Sequence, residues 1–187
     1  MNKPIILASR SPRRSELLEL AHIPFICEPS DIEEVMDENL PLLERISELA
    51  YQKALPIFDK HPEEIVLGAD SIVYIDGEVI GKPKDEQDAR RILHLLSGRA
   101  HQVTTGVAIV SKDEVIKFSQ TSDVLFYELD EEEIEDYIAS QEWQGKAGGY
   151  AIQGYACRFI KAIQGDYSNI VGLPVAMFYH HLKTMKK

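Results

Sequence analysis

Hydrophobic residues follow two spacings along this chain, one typical of helices and one typical of strands. Helical spacing predicts amphipathic helices over about 40–55 and 85–97, and the second of these has Gly98 as its stop signal. Further helices are predicted after the Ser11-Pro12 pair, over 131–139, and from about Pro174. Strands are predicted where apolar residues run together or alternate, at 5–8, 25–28, 65–75, 79–80, 103–109 and 155–163, and in a further segment that includes Val124 and Phe126.

The order of these segments indicates the fold class. Asp76-Gly77 between two apolar runs predicts a two-residue hairpin turn, so at least one pair of strands is antiparallel. Helices and strands are interspersed without strict alternation. The chain is therefore expected to form an α/β fold with a mixed β-sheet and flanking helices. Its 187 residues suffice for one such domain over 1–187, with two lobes around a central cleft.

Composition narrows the class of protein and of partner. The formal net charge is −11, which argues against a nucleic-acid-binding surface but not against a nucleotide substrate, since a triphosphate needs only a local basic cluster. The two cysteines, Cys27 and Cys157, have no metal-type spacing and are expected to be reduced and packed. The sequence shows neither a signal peptide nor an apolar run of about 20 residues, so a cytoplasmic location without a membrane partner is expected.

The first chemical signal is the segment Ser9-Arg10-Ser11-Pro12-Arg13-Arg14. A strand that runs into a helix N-terminus presents unpaired N–H groups, and the hydroxyls and guanidiniums at the same turn add donors suited to phosphate oxygens. An ordinary capped helix with solvated arginines would show the same local pattern. Both interpretations stay open on these residues alone.

Three charged residues add to this signal. Lys53 falls on the apolar stripe of its helix, so it either reaches along its stem to water or points into a cleft. Asp70 interrupts a long apolar strand, and a carboxylate there costs several kcal/mol unless it is paired or bound to a metal. Function is favoured for Asp70 over a structural salt bridge. Lys82 follows the hairpin and is either a second cation of the same site or a plain loop lysine.

Several well-known active-site motifs do not occur in the sequence. It has no GxxxxGK[ST] phosphate loop, no GxGxxG, no HExxH and no GxSxG. Acidic, basic and hydroxyl side chains remain, and these are the groups used in metal-assisted phosphoryl chemistry.

Taken together, the sequence resembles the Maf family of nucleotide pyrophosphatases. The resemblance covers nearly the whole chain in order, on LASRSPRR (7–14), Glu33-Glu34, Lys53-Ala54, GADSIV (68–73), GKP (81–83), LSGRAHQVTTGV (96–107), GKAGGYAIQG (145–154) and GDYSNIVGLP (165–174). It implies a Maf/ITPase-like fold, a Mg²⁺ or Mn²⁺ requirement, often a homodimer, and cleavage of a nucleoside triphosphate to a monophosphate and pyrophosphate.

The resemblance also implies roles for individual residues. Asp70 would be the general base that activates water or a ligand of the metal that does so, and Glu34 would help to hold the metal. The expected catalytic set is Asp70, Lys53 and Lys82. The positions that hold the triphosphate correspond to Ser9, Arg14, Lys53 and Lys82, and those that set base preference correspond to Arg13, Ser71 and Gln153.

The base-preference positions favour one branch of the family. The dTTP- and UTP-preferring branch has Arg, Thr and Gln there, and the branch acting on 7-methyl-GTP has Trp, Gln and Glu. Arg13 and Gln153 match the first branch, whereas Ser71 keeps the hydroxyl of Thr without its methyl group, and Gly149 and Ala151 depart from the AYGIQG form. A preference for dTTP and UTP is expected. The alternatives are a broader or 7-methyl-GTP specificity, or a nucleotide-binding regulator of septum formation without turnover.

Overall fold

The computed structural model describes residues 3–32, 35–37 and 39–185. The expected metal ligand Glu34 lies outside these residues. The chain divides into two compact units, each built from separate segments. Unit 1 comprises 1–71, 105–120 and 172–187, and unit 2 comprises 72–104 and 121–171.

The described part of the chain forms six α-helices and seven strands. The helices are α1 (Pro12–Leu20), α2 (Leu42–Lys60), α3 (Glu86–Leu96), α4 (Glu131–Ser140), α5 (Tyr167–Val171) and α6 (Val175–Thr184). The strands are β1 (Ile5–Leu7), β2 (Phe25–Cys27), β3 (Val66–Ile75), β4 (Glu78–Ile80), β5 (Ala100–Val110), β6 (Val115–Phe126) and β7 (Ile160–Gln164). Short 3₁₀ helices cover Ala147–Gly149 and Tyr155–Phe159.

The strands form a mixed sheet in the order β2-β1-β3-β5-β6-β7, with β4 paired to β3. Strand β1 runs parallel to both β2 and β3, whereas the pairs β3–β4 and β6–β7 are antiparallel. Parallel and antiparallel pairs thus coexist with flanking helices, which confirms the expected α/β fold with a mixed sheet.

In unit 1, α2 packs closely on the sheet through small residues. An added Cβ on Gly68 of β3 would lie 2.0 Å from the carbonyl oxygen of Ala50, and one on Gly106 of β5 would lie 2.3 Å from the carbonyl carbon of Ile46. Both obstacles are backbone atoms of α2, so these two glycines allow the helix to pack this close to the sheet. The apolar cluster beside them comprises Ile6, Ala8, Ala54, Ile57, Val66 and Val110.

In unit 2, local signals place the turn and two helices where they were predicted. Asp76 and Gly77 have φ values of 52° and 89°, the left-handed pair that a tight hairpin needs. Asp85 caps α3 through the backbone N–H of Asp88, and Asp130 forms a capping box with Glu133 at the start of α4.

Two element predictions were wrong at their boundaries. The helix expected to end near Leu55 continues through Pro56 to Lys60, because Ile57 extends the apolar stripe into the core and is fully buried. The strand expected over 155–163 begins only at Ile160, because Tyr155–Phe159 forms a 3₁₀ helix. That helix buries residues three apart, Ala156 and Phe159, as its period requires.

The cysteine prediction was also wrong in one respect. Cys27 and Cys157 are both free, as expected, but both are exposed rather than packed. Cys27 lies on β2 at the edge of the sheet, and Cys157 lies in the 3₁₀ helix. Across residues 3–32, 35–37 and 39–185, no helix is long and apolar enough to cross a membrane.

Candidate functional site

The centre of the candidate site in unit 1 is an ion pair between α2 and β3. Lys53 Nζ lies 2.5 Å from Asp70 Oδ1, and the two side chains are only 16% and 18% exposed. Lys53 follows buried Leu49 and Ala50 on the inner side of α2, which directs its ammonium toward the sheet. The lysine on the apolar stripe and the carboxylate inside the strand, which the sequence singled out separately, are therefore partners.

Strand β3 changes character at this point. Residues 66–69 are buried, and Asp70 and Ser71 are the first residues of the strand to become half-buried. Adjacent strand residues point to opposite sides. Accordingly, Asp70 meets Lys53 of α2, whereas Ser71 contacts Arg14 of α1. Two polar clusters of unit 1 thus meet at consecutive residues of one strand.

Arg14 organises the second cluster. Its side chain is 9% exposed, and each of its three nitrogens donates to a different residue. Nε donates to the carbonyl oxygen of Gly172 at 2.8 Å, Nη1 to Ser9 Oγ at 3.0 Å, and Nη2 to Ser71 Oγ at 3.1 Å. The guanidinium therefore fixes the positions of two hydroxyl groups and of the backbone at Gly172.

The hydroxyl group of Ser9 can donate a hydrogen bond but cannot accept a further one. Its Oγ accepts from Arg14 and also from the backbone N–H of Ser11, at 3.2 Å. A hydroxyl group has two acceptor positions and one donor. With both acceptor positions used, Ser9 can still donate its proton, which is the property needed to bind a phosphate oxygen.

Two residues of this cluster were not expected from the sequence. Thr105 Oγ1 lies 2.8 Å from Ser71 Oγ and is fully buried on β5. Gly172 has φ of +130°, a conformation that residues other than glycine rarely adopt, and its carbonyl holds Arg14. Thr105 appeared only within a predicted strand and a motif block, and Gly172 only within a motif block.

Unit 2 contains the other two candidate residues, Lys82 and Gln153, and both are exposed. Lys82 lies in the loop after β4, and Gln153 lies in the glycine-rich segment 145–154. The two loops are joined, because the N–H of Gly148 donates to the carbonyl of Gly81 at 3.0 Å. A Cβ on Gly149 would approach the Pro83 ring to 3.0 Å, so glycine permits this contact.

Buried aromatic residues support the glycine-rich segment through hydrogen bonds. Tyr137 OH donates to the carbonyl of Gly149 at 3.0 Å, and Tyr150 OH shares a 2.7 Å hydrogen bond with His101 Nε2. Burial lowers the pKa of His101 to about 4 and raises that of Tyr150. Both groups are therefore neutral near pH 7, as a buried support requires.

The remaining expected site residues are Arg13 and Glu34. Arg13 is half-buried on α1, next to Arg14. No group of three or more His, Cys, Asp or Glu side chains suited to a metal occurs among residues 3–32, 35–37 and 39–185, and Glu34 is not among them. Of the two carboxylates expected to hold a metal, Asp70 is the one that lies within the described residues.

Comparison with known proteins identifies the family. The family model for Maf-like proteins matches residues 4–185. Proteins named dTTP/UTP pyrophosphatase are 49% identical in Bacillus cytotoxicus and 47% identical in Bacillus mycoides, in each case over 97% of this chain and 95% of the relative. The Ham1 protein of Staphylococcus aureus shows a weaker structural likeness, with a TM-score of 0.47 and 17% identity over 66% of this chain and 72% of that one. The family match and the identity of the two Bacillus proteins show that the chain belongs to the Maf-like protein family.

Proposed function

We propose that this protein hydrolyses nucleoside triphosphates, with dTTP and UTP preferred, to the monophosphate and pyrophosphate. The observation that carries the proposal is the Lys53–Asp70 pair, a largely buried carboxylate and ammonium in contact on α2 and β3. An ion pair in this position is a poor source of stability and a common feature of catalytic sites. The names of the Bacillus relatives supply the substrate class.

The residues fit a divalent metal that arrives with its nucleotide. Mg²⁺ is usually held by one or two carboxylates, with water and substrate phosphates completing its oxygen shell. Asp70 supplies hard oxygen ligands, and the ion pair with Lys53 engages Oδ1, one of its two oxygens. In this proposal Asp70 and Glu34 hold Mg²⁺ or Mn²⁺, which when bound would neutralise charge on the phosphates.

In the proposed reaction, water attacks the α-phosphorus and pyrophosphate leaves. A new bond forms between the water oxygen and the α-phosphorus, and the bond to the α–β bridging oxygen breaks. Asp70 accepts the proton that the water loses, and Lys53 holds the carboxylate in place. Lys82 stabilises the negative charge that develops on the leaving pyrophosphate.

The start of α1 fits the triphosphate. Ser11 makes no side-chain capping bond at the N-terminus of α1, where the positive end of the helix dipole favours an anion. Ser9, just before this helix, has only its proton left to donate. These groups favour phosphate oxygens, and Arg14 keeps Ser9 oriented.

Isotope labelling tests where the triphosphate is cleaved. In H₂¹⁸O with Mg²⁺, hydrolysis of UTP should yield UMP and pyrophosphate as first products, and the label should appear in UMP because water attacks the α-phosphorus. Mass spectrometry and ³¹P NMR distinguish these products. Label in pyrophosphate would place the attack on the β-phosphorus, and formation of UDP and inorganic phosphate would contradict the proposal.

Replacement of Gln153 tests the base preference. Gln153→Glu removes an amide donor and adds a negative charge, so we expect kcat/KM for UTP to fall by roughly 5- to 150-fold, the effect of about 1–3 kcal/mol. The carboxylate can pair with the cationic ring of 7-methylguanine, so activity on 7-methyl-GTP should fall less or rise. Steady-state kinetics with both substrates measure the ratio.

Gln144→Glu is the matched control, because Gln144 is exposed in the same unit and undergoes the same change of charge. It should leave the UTP to 7-methyl-GTP ratio unchanged. Equal losses on both substrates in Gln153→Glu would mean that Gln153 supports the glycine-rich segment and does not contact the base.

A further inference from the structure

His101 is a buried histidine on β5 in unit 2, and its two ring nitrogens have different surroundings. Its side chain is 2% exposed. Nε2 lies 2.7 Å from Tyr150 OH, whereas Nδ1 has no hydrogen-bond partner within the part of the chain that the structure describes. The ring stands edge-on to the rings of Phe126 and Tyr150, with centroid distances of 5.0 and 5.4 Å. The imidazole is therefore packed among aromatic rings and held by its hydrogen bond to Tyr150.

Protonation of this ring is costly whichever nitrogen carries the hydrogen in the neutral form. A neutral imidazole has one N–H group and an imidazolium has two. If Nε2 donates to Tyr150, the added proton goes to Nδ1. If Tyr150 donates to Nε2, Nδ1 already carries its hydrogen and the added proton goes to Nε2, toward the tyrosine hydroxyl. In both cases a charge is buried with an Nδ1–H that lacks an acceptor, so protonation favours a state in which the ring reaches water.

The elements packed around His101 offer no charge that would offset this cost. Tyr150 in the glycine-rich segment is the titratable group in contact with the ring, and Phe126 on β6 is apolar. Burial and, behind it, Tyr137 on α4 raise the pKa of Tyr150, so both tyrosines stay neutral. Burial alone lowers the pKa of His101 to about 4, with no contribution from a carboxylate or a cation among residues 3–32, 35–37 and 39–185.

The hydrogen bond from His101 anchors the glycine-rich segment 145–154 to the sheet. Tyr150 is 6% exposed and directly follows Gly148 and Gly149, whose φ values are 68° and 69°. Glycine loses more conformational freedom on folding than any other residue, so an ordered glycine pair needs anchors. Tyr150 is such an anchor, and the hydroxyl of Tyr137 on the carbonyl of Gly149 is another. Loss of the contact at Tyr150 should therefore loosen this segment.

We propose that the His101–Tyr150 hydrogen bond is an acid-sensitive latch, which holds the glycine-rich segment at neutral pH and releases it when His101 takes up a proton. The latch goes beyond the proposed reaction and does not depend on it. It lies within unit 2, whereas the Lys53–Asp70 pair belongs to unit 1.

The sign of the pH effect follows from the proton affinity of His101 in the two states. With the segment open, the imidazole in water has its ordinary pKa of about 6.5, whereas with the segment closed burial lowers the pKa to about 4. The open state therefore binds more protons. The latch is fully effective above pH 6.5 and weakens as the pH falls from 6.5 toward 4. Between pH 8 and pH 5 the equilibrium constant for opening should rise roughly 30-fold.

Amide hydrogen exchange of the full-length protein measures this opening. The N–H groups of Gly148, Gly149 and Gly154 are hydrogen-bonded within unit 2 and serve as reporters. Their rates, divided by the intrinsic rate at each pH, should show the roughly 30-fold rise from pH 8 to pH 5. The N–H groups of Ile6 and Ala8, which bond to residues 65 and 67 in unit 1, should not follow it.

Substitutions at His101 test whether this residue causes the rise. His101→Gln does not titrate and keeps an amide that can bond to Tyr150, so the pH dependence should disappear. The double variant His101→Phe/Tyr150→Phe removes both polar groups, keeps ring packing and provides the same test if the glutamine variant fails to fold. His94→Gln is the matched control, because His94 is an exposed histidine on α3 of the same unit. It should keep the wild-type rise.

Four results would overturn the latch. They are a wild-type segment whose opening does not change between pH 8 and pH 5, a rise that persists in the folded His101 variant, a rise that His94→Gln also abolishes, and an equal rise at Ile6 and Ala8, which would mean unfolding of the whole chain. Failure to hydrolyse UTP would overturn the proposed reaction and leave these exchange results unaffected.

Discussion

Asp70→Asn should lower kcat for UTP and dTTP by on the order of 10² or more while the protein stays folded. Asparagine keeps the shape of the side chain and an oxygen that can accept from Lys53 Nζ, which lies 2.5 Å from the carboxylate. It cannot take a proton from water, and it is a weaker metal ligand because it carries no charge. Steady-state kinetics at saturating nucleotide measure kcat, and circular dichroism shows whether the variant is folded.

Asp76→Asn is the control for this change. Asp76 pairs with Arg99 on the surface and has φ of 52°, a conformation that asparagine tolerates. Loss of an exposed ion pair costs about 0.2–1 kcal/mol, so kcat should stay at the wild-type value. A folded Asp70→Asn protein with near-normal turnover would remove Asp70 from the mechanism.

Gly68→Ala should destabilise the protein by about 3 kcal/mol, which lowers the melting temperature by roughly 6–12 °C in a chain of this size. The new Cβ would lie 2.0 Å from the carbonyl oxygen of Ala50 and 3.0 Å from Ala54 Cβ. Because the nearest obstacle is helix backbone, α2 must shift away from the sheet. Lys53 moves with it, so kcat should fall as well.

Gly81→Ala is the matched substitution for the stability measurement. No atom lies within 4 Å of the Cβ that alanine would add there, and φ at Gly81 is outside the positive range. Thermal denaturation should give a melting temperature equal to or slightly above that of the wild type, since alanine restricts the unfolded chain. A melting temperature of Gly68→Ala as high as that of Gly81→Ala would contradict the close packing of α2 on β3.

The fold could be predicted from sequence wherever one local signal decides the structure. The Asp76-Gly77 turn and the capped start of α3 at Asp85 are such cases. The continuation of α2 through Pro56 could not be predicted, because it depends on burial of Ile57 against other segments. In the same way, the 3₁₀ helix Tyr155–Phe159 is decided by what packs around it.

In the candidate site, too, the residues marked by a local pattern could be predicted, whereas the contacts between distant segments could not. The periodicity of α2 and the apolar run around Asp70 marked Lys53 and Asp70 as unusual, and the structure brings these two together. The Arg14 cluster could not be derived in this way. Two of the three hydrogen bonds of Arg14 join residues that are 57 and 158 positions apart, and Ser71 and Thr105 are 34 apart. No pattern within one segment encodes which residues meet across that separation.

The hydrogen bond from Arg14 to Gly172 has a consequence for the order of events during synthesis. It links the first helix to a residue 158 positions later, and unit 1 draws on three separate segments, whereas unit 2 lies entirely within 72–171. A chain emerging from the ribosome has therefore exposed all of unit 2 before unit 1 can close. Contacts between distant segments form slowly, because a long loop must be ordered first. Ser9 and Ser71 gain their fixed orientation only when the last segment docks, so the cluster that would bind the nucleotide is among the last parts of the molecule to form.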